Sequence, residues 1–202
     1  AEQGYPLFSI VAAGDSGIES PDQLKGVPIG VSDGTVIAYL TDRLLEHEGL
    51  AGGEIATMAV PNIRDRMTLL NSGELPAGTL PEPLTSLAVM QGARVIVEDT
   101  RYPEISFSTI SFRKEVLDQQ PDAVRAFLAA VEDAVNAINA DRTRWQALLA
   151  EYSLVPEPLL ENYVLPEFGT AVVPTEAQYL DVVDWAESEG LIGNRVPYRD
   201  SV

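Results

Sequence analysis

A strand, a tight turn and the start of a helix follow one another without a gap in residues 27–36, Val-Pro-Ile-Gly-Val-Ser-Asp-Gly-Thr-Val. Residues 27–31 are apolar and few enough for a buried parallel strand. Ser32 and Asp33 are alternative N-caps for the helix that follows, and Gly34 tolerates the backbone angles of a sharp turn. Such a turn points backbone N–H groups and the positive end of a helix at whatever lies beyond the strand. The run predicts either a binding corner or an ordinary strand-to-helix connection.

The same strand–turn–helix order recurs along the first half of the chain. Short apolar strands are predicted at residues 5–13, 56–60, 77–80 and 94–97, and helices follow the second and third of these. Asn62 is placed to cap one of these helices. Strands that alternate with helices over short connections indicate an α/β fold with a mainly parallel sheet and helices on both faces.

The turns after these strands are where such a sheet binds ligands. Ligands of open parallel sheets lie beyond the carboxyl ends of the strands. In this chain those ends are Ser32 to Thr35, Pro61-Asn62 and Pro81-Glu82. We therefore expect three turns to meet at one edge of the sheet.

The chain becomes helical after residue 112. Residues 105–112 alternate in polarity and predict one last strand. Helices are predicted from Pro121 to about residue 138, from Asp141 to Tyr152, over residues 156–164, and from a capping box at Thr175 to Gly190.

Charge and composition exclude several classes of function. Acidic residues outnumber basic ones 31 to 13, which gives a net charge of −18. Nucleic acid and anionic membrane surfaces are therefore not expected partners. The chain has no cysteine, which excludes disulfides, thiol catalysis and cysteine-based metal sites. No apolar run approaches the roughly 18 residues of a membrane span, and no secretory leader is recognised at the start.

Three passages together resemble type II periplasmic binding proteins. Residues 15–18 with 20–31 (DSGI, SPDQLKGVPIGV) are similar to one conserved-looking passage of that family. Residues 71–74 with 80–83 (NSGE, LPEP) and residues 121–127 (PDAVRAF) are similar to two others. The branch with the best resemblance holds the aliphatic-sulfonate (SsuA), taurine (TauA) and nitrate binders and the thiamine-pyrimidine (THI5/NMT1-like) binders.

The resemblance implies a Venus-flytrap fold of two α/β lobes that delivers a small-molecule ligand to the membrane subunits of an ABC importer. Residues 16–100 would form lobe two. Residues 1–15 and 101–202 would be the crossing strands and the C-terminal helices of lobe one. The family places two further βα units at the start of lobe one, so either the chain is a fragment or a second chain or swapped copy completes that lobe. The implied location is periplasmic or extracellular, with or without a lipoprotein anchor.

The predicted ligand site combines these turns with residues near the hinge. The predicted ligand-binding residues are Ser32, Asp33, Gly34, Thr35, Asn62 and Glu82 at the turns, Asp15 and Ser16 near the hinge, and Tyr102, Phe107 or Tyr5 as aromatic walls. If Asp33 caps the helix, it occupies N–H groups that an anion would need. With Glu82 it puts two carboxylates at one edge, and like charges about 5 Å apart repel by roughly 3 kcal/mol at an effective dielectric of about 20.

These carboxylates favour a neutral or cationic heteroaromatic ligand, such as a thiamine-pyrimidine or flavin-like compound. The alternative ligand is an anion of the sulfonate, taurine or nitrate type. No cofactor and no metal are expected, although Asp33, Glu82 and Asp15 could in principle hold a hard cation.

Two other functions are alternatives to solute binding. An enzyme is not expected, because the single histidine, His47, lies between two glutamates on the polar side of a helix. A ligand-sensing effector domain of a regulator or sensor kinase would have the same fold, and it is the alternative that the sequence leaves open.

Overall fold

The computed structural model describes residues 5–170 and 172–201, which divide into two compact units. Among these residues, the first unit comprises 5–106 and 174–201, and the second comprises 107–170 with 172 and 173. None of the helices in the described ranges is long and apolar enough to cross a membrane.

The first unit is built on a five-stranded sheet. Its strands are β1 (Phe8–Ala12), β2 (Pro28–Val31), β3 (Ala56–Ala59), β4 (Ala77–Pro81) and β5 (Arg94–Glu98). Their order across the sheet is β3-β2-β4-β1-β5. β2 is parallel to β3 and β4, whereas β1 runs antiparallel to both of its neighbours, β4 and β5. The predicted α/β class and the five strands predicted before residue 98 are confirmed, and β1 lies inside the sheet with reversed direction.

Seven α-helices are found in the described residues. They are α1 (Val36–His47), α2 (Ile63–Asn71), α3 (Leu84–Met90), α4 (Lys114–Gln119), α5 (Pro121–Ala140), α6 (Gln146–Glu151) and α7 (Glu176–Ser188). Short 3-10 turns at Pro21–Leu24, Gly52–Glu54, Asp99–Arg101, Pro103–Ile105, Glu157–Leu159 and Tyr198–Asp200 complete the regular structure. The helix predicted from Asp141 begins only at Gln146, and the one predicted over residues 156–164 is reduced to a single 3-10 turn.

Apolar side chains fill both faces of the sheet. One cluster, which includes Ile29, Leu40 and Leu44, lies between the sheet and α1. The other, which includes Met67 and Leu80, lies beneath α2 and α3. Helices therefore cover both faces, as the alternation of strands and helices predicted.

The caps of the first two helices differ in how well the sequence predicted them. Asn62 caps α2, because its side-chain oxygen accepts from the backbone N–H of Arg64 at 3.0 Å. The N-cap of α1 is Thr35, not Ser32 or Asp33, and its hydroxyl accepts from Ile37 N at 3.2 Å. The predicted cap was wrong because the turn runs two residues further before the first helical residue, Val36.

The last helix packs on the sheet-bearing unit. Trp185 of α7 is buried against α1, with its ring edge on Tyr39 and its Nε1 donating to Asp42 at 2.8 Å. Asp181, one turn earlier, accepts from the hydroxyl of Tyr39 at 2.6 Å. The sequence analysis assigned all of residues 101–202 to lobe one. The structure instead groups α7 with α1, because the apolar and hydrogen-bonding partners of Trp185 lie there.

The predicted strand at residues 105–112 does not form. Ile105 ends a 3-10 turn, and residues 106–113 have no regular structure. A strand needs a neighbouring strand to accept and donate its backbone hydrogen bonds, and none of the five described strands pairs with this segment. Alternating polarity alone is therefore not sufficient to predict a strand.

The second unit consists of α4, α5 and α6. The 20-residue helix α5 has an apolar stripe, but only Val124 of that helix is buried. Phe127 and Leu128 on the stripe are 49% and 44% exposed. Within the described residues this apolar stripe is therefore only partly covered.

Candidate functional site

The turns after β2, β3 and β4 lie at one edge of the sheet, which we call the carboxyl edge: residues 32–35, 60–62 and 82. The three strands are parallel neighbours, so their carboxyl ends face the same way. Ser32 Oγ donates to Pro61 O at 3.1 Å, which joins the first two turns directly. Glu82 N donates to Leu7 O at 2.8 Å and joins the third turn to the start of β1.

The turn between β2 and α1 is closed by its own side chains. Thr35 Oγ1 donates to Ser32 O at 2.7 Å. Gly34 has φ of +66°, which favours glycine, and a Cβ built there would lie 3.2 Å from Leu191. Asp33 is exposed and does not cap α1. The objection to an anionic ligand that rested on a capping Asp33 is therefore removed, while the negative charge of Asp33 remains.

Arg66 connects all three strands from beneath the carboxyl edge. It lies on α2 and is fully buried. Its Nη1 donates to Thr79 O of β4 at 2.7 Å, and its Nη2 donates to Val60 O and to Ser32 Oγ, each at 2.7 Å. One guanidinium thus holds the end of β3, the turn after β2 and the body of β4.

Two glycines make room for the stem of Arg66. Gly30 of β2 and Gly78 of β4 are partners in the strand register. A Cβ at Gly30 would lie 3.1 Å from Arg66 Cγ and 2.6 Å from Leu75, and one at Gly78 would lie 3.2 Å from Arg66 Cδ. Glycine inside a strand often marks such a close approach. Because neither glycine has a side chain, the stem of Arg66 can lie flat against the sheet.

The guanidinium of Arg66 carries its charge without an ionic partner. Among residues 5–170 and 172–201, no carboxylate forms an ion pair with Arg66, and its Nε has no hydrogen-bond partner. Burial lowers the pKa of Arg66 to about 10, so that it still carries its proton at neutral pH. Uncompensated buried charge is unfavourable, and it is uncommon where it serves no purpose. The sequence analysis missed this residue.

Glu82 supplies a negative charge at the same edge. It is half-buried, and its Oε2 accepts from Ser86 Oγ at 2.8 Å. Burial raises the pKa of the Glu82 carboxyl; the hydrogen bond from Ser86 opposes that rise, and the charges of Asp99 and Glu98 add to it. The carboxyl edge therefore has positive charge below the turns after β2 and β3, and negative charge at Asp33 and at the turn after β4.

The raised pKa of Glu82 predicts a pH-dependent stability. A carboxyl whose pKa is higher in the folded state binds its proton more tightly when folded, so the free energy of unfolding falls as pH rises from about 4.5 through the folded-state pKa. Glu82→Gln is expected to remove this contribution. Urea unfolding at pH 4.5, 5.5 and 7.0 measures it.

The exposed residue Glu74 provides the control for this measurement. Glu74→Gln also removes one carboxylate, and we expect the wild-type pH dependence to persist in that variant. If the Glu82→Gln protein loses stability between pH 4.5 and 7.0 as steeply as the wild type, the burial of Glu82 is not responsible for that loss.

Asp15 and Ser16 do not lie at the carboxyl edge. They follow β1, whose last residue, Ala12, pairs with Ala77 at the start of β4. This is the edge opposite to the three turns. Ser16 Oγ donates to Ala13 O at 2.7 Å, an interaction that shapes a local turn. The structure therefore does not bring them together with the three turns, because β1 runs antiparallel to its neighbours, and their contact with a ligand remains a prediction.

The three aromatic residues proposed as walls have different positions. Tyr102 stacks on His47 at the C-terminal end of α1, with 4.5 Å between ring centroids, and is remote from the Ser32–Thr35 turn at the other end of that helix. Tyr5 precedes β1 on the carboxyl-edge side, where Leu7 O accepts from Glu82 N. Phe107 belongs to the second unit, so its contact with a ligand remains a prediction.

A cavity of about 550 Å³ opens beside the carboxyl edge, between α1, β3 and α7. Its lining includes four acidic residues, Asp33, Asp42, Glu46 and Glu189, and one cation, Arg43. Burial raises the pKa of Asp42, and the hydrogen bond from Trp185 opposes that rise. Within the part of the chain that the structure describes, no group of three or more His, Cys, Asp or Glu side chains is arranged to hold a metal ion.

Comparison with models of protein families shows the family to which the chain belongs. The model of the NMT1-like family matches residues 11–152, which is well over half of the sequence. The chain belongs to the NMT1-like family. The resemblance inferred from the sequence is thereby confirmed at the level of the family. Comparison with curated proteins found no match for this NMT1-like chain.

Solved structures confirm the fold of this NMT1-like chain. The periplasmic aliphatic sulphonate binding protein SsuA from Escherichia coli has 23% identity and a TM-score of 0.78, over 98% of this chain and 69% of that one. The zinc-bound ligand-binding component of an ABC-type import system from Staphylococcus aureus has 16% identity and a TM-score of 0.75, over 98% and 68%. The desulfurization enzyme DSZB has 16% identity and a TM-score of 0.67, over 95% and 72%. At these identities the similarity shows the periplasmic-binding-protein fold alone.

Proposed function

We propose that this NMT1-like chain is the solute-binding part of an extracytoplasmic binding protein that captures a small organic nutrient and delivers it to an ABC importer. The observation that carries the proposal is the carboxyl edge, where three neighbouring turns, an exposed carboxylate and a buried cation meet. Such an edge is the usual ligand position in open α/β sheets. The S. aureus relative, described as part of an ABC-type import system, supports the importer as partner.

The site is proposed to bind its solute without transforming it. The single histidine, His47, is exposed, stacks on Tyr102 and is remote from the Ser32–Thr35 turn. Residues 32–35, 60–62 and 82 of the carboxyl edge include no histidine, cysteine or lysine, and the hydroxyl–carboxylate contact there is the hydrogen bond from Ser86 Oγ to Glu82 Oε2 at 2.8 Å. Because the enzyme DSZB has the same fold, turnover must be tested directly, and chemical conversion of any bound solute by the purified protein would contradict this part of the proposal.

Binding in the periplasm or outside the cell follows from the same proposal. The E. coli relative is described as periplasmic, and an importer receives its solute on that side of the membrane. The exposed apolar stripe of α5, which includes Phe127 and Leu128, supports the proposal that more of lobe one covers it. That part would come from the same polypeptide, from a second chain or from a swapped copy.

A thermal-shift screen of sulfonates, nitrate, pyrimidines and flavins tests the function. A ligand at 100 times its Kd stabilises the folded state by about 2.7 kcal/mol, which raises the Tm of a protein of this size by roughly 5–10 °C. At least one of these classes is expected to produce such a shift. A flat response to all of them would favour the ligand-sensing alternative or a solute of another class.

Substitutions at the carboxyl edge test the site. Asp33→Asn and Glu82→Gln each remove a charge there, so each is expected to change the Kd of the solute found in the screen by about tenfold. Weaker binding indicates a cationic solute and tighter binding an anionic one. Glu74→Gln, an exposed change in the connection that precedes β4, is the control and should leave the Kd unchanged. Unchanged affinity in both carboxyl-edge variants would contradict the site.

A further inference from the structure

Arg66 lies beneath the carboxyl edge, and packing alone does not explain its position. An arginine stem is long enough to reach solvent from most helix positions, and buried arginines usually pair with carboxylates. Arg66 does neither: it is fully buried, and each of its three hydrogen bonds goes to an uncharged oxygen. The sheet accommodates it by having glycine at both Gly30 and Gly78.

Each of the three acceptors belongs to a different strand segment. Val60 O lies just after β3, Ser32 Oγ just after β2, and Thr79 O within β4. A guanidinium is planar with fixed donor directions, so it fixes the relative positions of groups that it binds together. Hydrogen bonds donated by three separate, flexible side chains would not fix the positions of the turns relative to one another.

The hydroxyl of Ser32 transmits the charge of Arg66 towards the edge. Ser32 Oγ accepts from Arg66 Nη2 at 2.7 Å and donates to Pro61 O at 3.1 Å. A hydroxyl can rotate its hydrogen from one acceptor to another. If it donates to a solute instead, the solute atom lies about 5 Å from the guanidinium, where an opposite charge is attracted and a neutral group is not.

We propose that Arg66 is a positioning and specificity-determining residue: it holds the turns after β2 and β3 against β4, and it makes the Ser32 corner prefer a solute that carries an anionic group. The proposal rests on the proposed solute-binding function. It reverses the charge preference expected from Asp33 and Glu82 at this corner, because Asp33 does not cap α1 and its exposed carboxylate is screened by solvent, whereas the guanidinium of Arg66 is buried. Glu82 lies two residues past Leu80, beyond the point on β4 level with Ser32 in the strand register.

The charge preference is tested with a pair of compounds that differ mainly in charge. Ethanesulfonate and its uncharged analogue ethyl methyl sulfone are titrated calorimetrically into the wild-type protein and three variants. Arg66→Met keeps the length of the stem and removes the charge, and Arg66→Lys keeps the charge without the fork. Arg64→Met makes the same charge change at an exposed position of the same helix.

The wild-type protein is expected to bind ethanesulfonate at least tenfold more tightly than the sulfone. That ratio should stay within threefold of its wild-type value in Arg66→Lys and Arg64→Met, and fall to about one in Arg66→Met. If Arg66 had a purely structural role, Arg66→Met would weaken the binding of both compounds equally and leave the ratio of their affinities unchanged. Retention of the ratio in Arg66→Met, or a wild-type preference for the sulfone, overturns the charge preference.

Amide hydrogen exchange tests the positioning role without any solute. Backbone exchange at residues 31–35, 60–63 and 79–82 is expected to be at least fivefold faster in Arg66→Met than in Arg64→Met, with residues 14–17 at the opposite edge unchanged. Equal rates in the two folded variants overturn the positioning role. If the wild-type protein binds neither compound, the charge preference fails, whereas the proposed function fails only when the wider solute screen is also negative.

Should Arg66→Met not fold, Ser32→Ala replaces it. That variant leaves the guanidinium in place and removes only the hydroxyl between it and the edge. The sulfonate-to-sulfone ratio is then expected to fall at least threefold, and an unchanged ratio overturns the proposal.

Discussion

Replacing Trp185 by alanine is expected to lower the free energy of unfolding by about 3–5 kcal/mol, the usual loss for a large buried aromatic side chain. Trp185 is 7% exposed and packs edge-on against Tyr39, with 5.5 Å between ring centroids. Its removal also takes away the donor at 2.8 Å from Asp42, a carboxylate that burial already disfavours. Urea unfolding followed by circular dichroism measures the loss.

Two further variants separate the causes. Trp185→Phe keeps one ring against Tyr39 and loses the hydrogen bond to Asp42 together with part of the buried ring area, so it is expected to lose about 1–2 kcal/mol. Leu180→Ala, at a 39% exposed position of the same helix, is expected to lose less than about 1 kcal/mol. If Trp185→Ala behaved like Leu180→Ala, the contact of α7 with α1 would not contribute to stability.

Asp99→Ala is expected to lower the free energy of unfolding by about 3–5 kcal/mol, because it leaves three donors without their acceptor. Asp99 is fully buried and follows β5. Its carboxylate accepts from Leu7 N at 3.0 Å, from Phe8 N at 3.1 Å and from Ser106 Oγ. One side chain therefore holds the start of β1 to the end of β5 and secures the last residue of the sheet-bearing unit before residue 107.

The variant Asp99→Asn separates the contribution of the charge to stability from that of the hydrogen bonds. Asp99→Asn keeps one acceptor oxygen, so about half of the loss is expected. Asp15→Asn, an exposed change at the opposite edge, is the control and is expected to alter stability by less than about 0.5 kcal/mol. A loss below about 1 kcal/mol for Asp99→Ala would mean that water satisfies these donors once the carboxylate is gone.

The elements of the first unit could be predicted because their signals are local. Apolar runs of four or five residues bounded by glycine, proline or asparagine predicted β2, β3 and β4, and Asn62 caps α2 as its position indicated. The direction of β1 could not be predicted in the same way. A short apolar strand has the same pattern in a parallel and an antiparallel pair, and its neighbours here are distant in sequence. The separation of Asp15 and Ser16 from the three turns could not be predicted for the same reason.

The part of the site that the sequence did not reveal depends on tertiary contacts. Arg66 looks like any charged residue on an amphipathic helix, and such residues are mostly exposed. The available signal was indirect: glycines inside two strands, at Gly30 and Gly78, are unfavourable unless something lies against them. The failed strand at residues 105–112 has a related cause, since alternation predicts a strand only where a partner strand exists.

The position of β1 between β4 and β5 has a consequence for how the polypeptide acquires its structure during synthesis. The partners of β1 (Phe8–Ala12) are residues 77–81 and 94–98, so β1 is synthesised before either of them. Until residue 81 has been synthesised this apolar segment has neither partner strand, and until residue 98 it has only one, so a nascent chain of intermediate length exposes an unpaired apolar strand that is prone to aggregate.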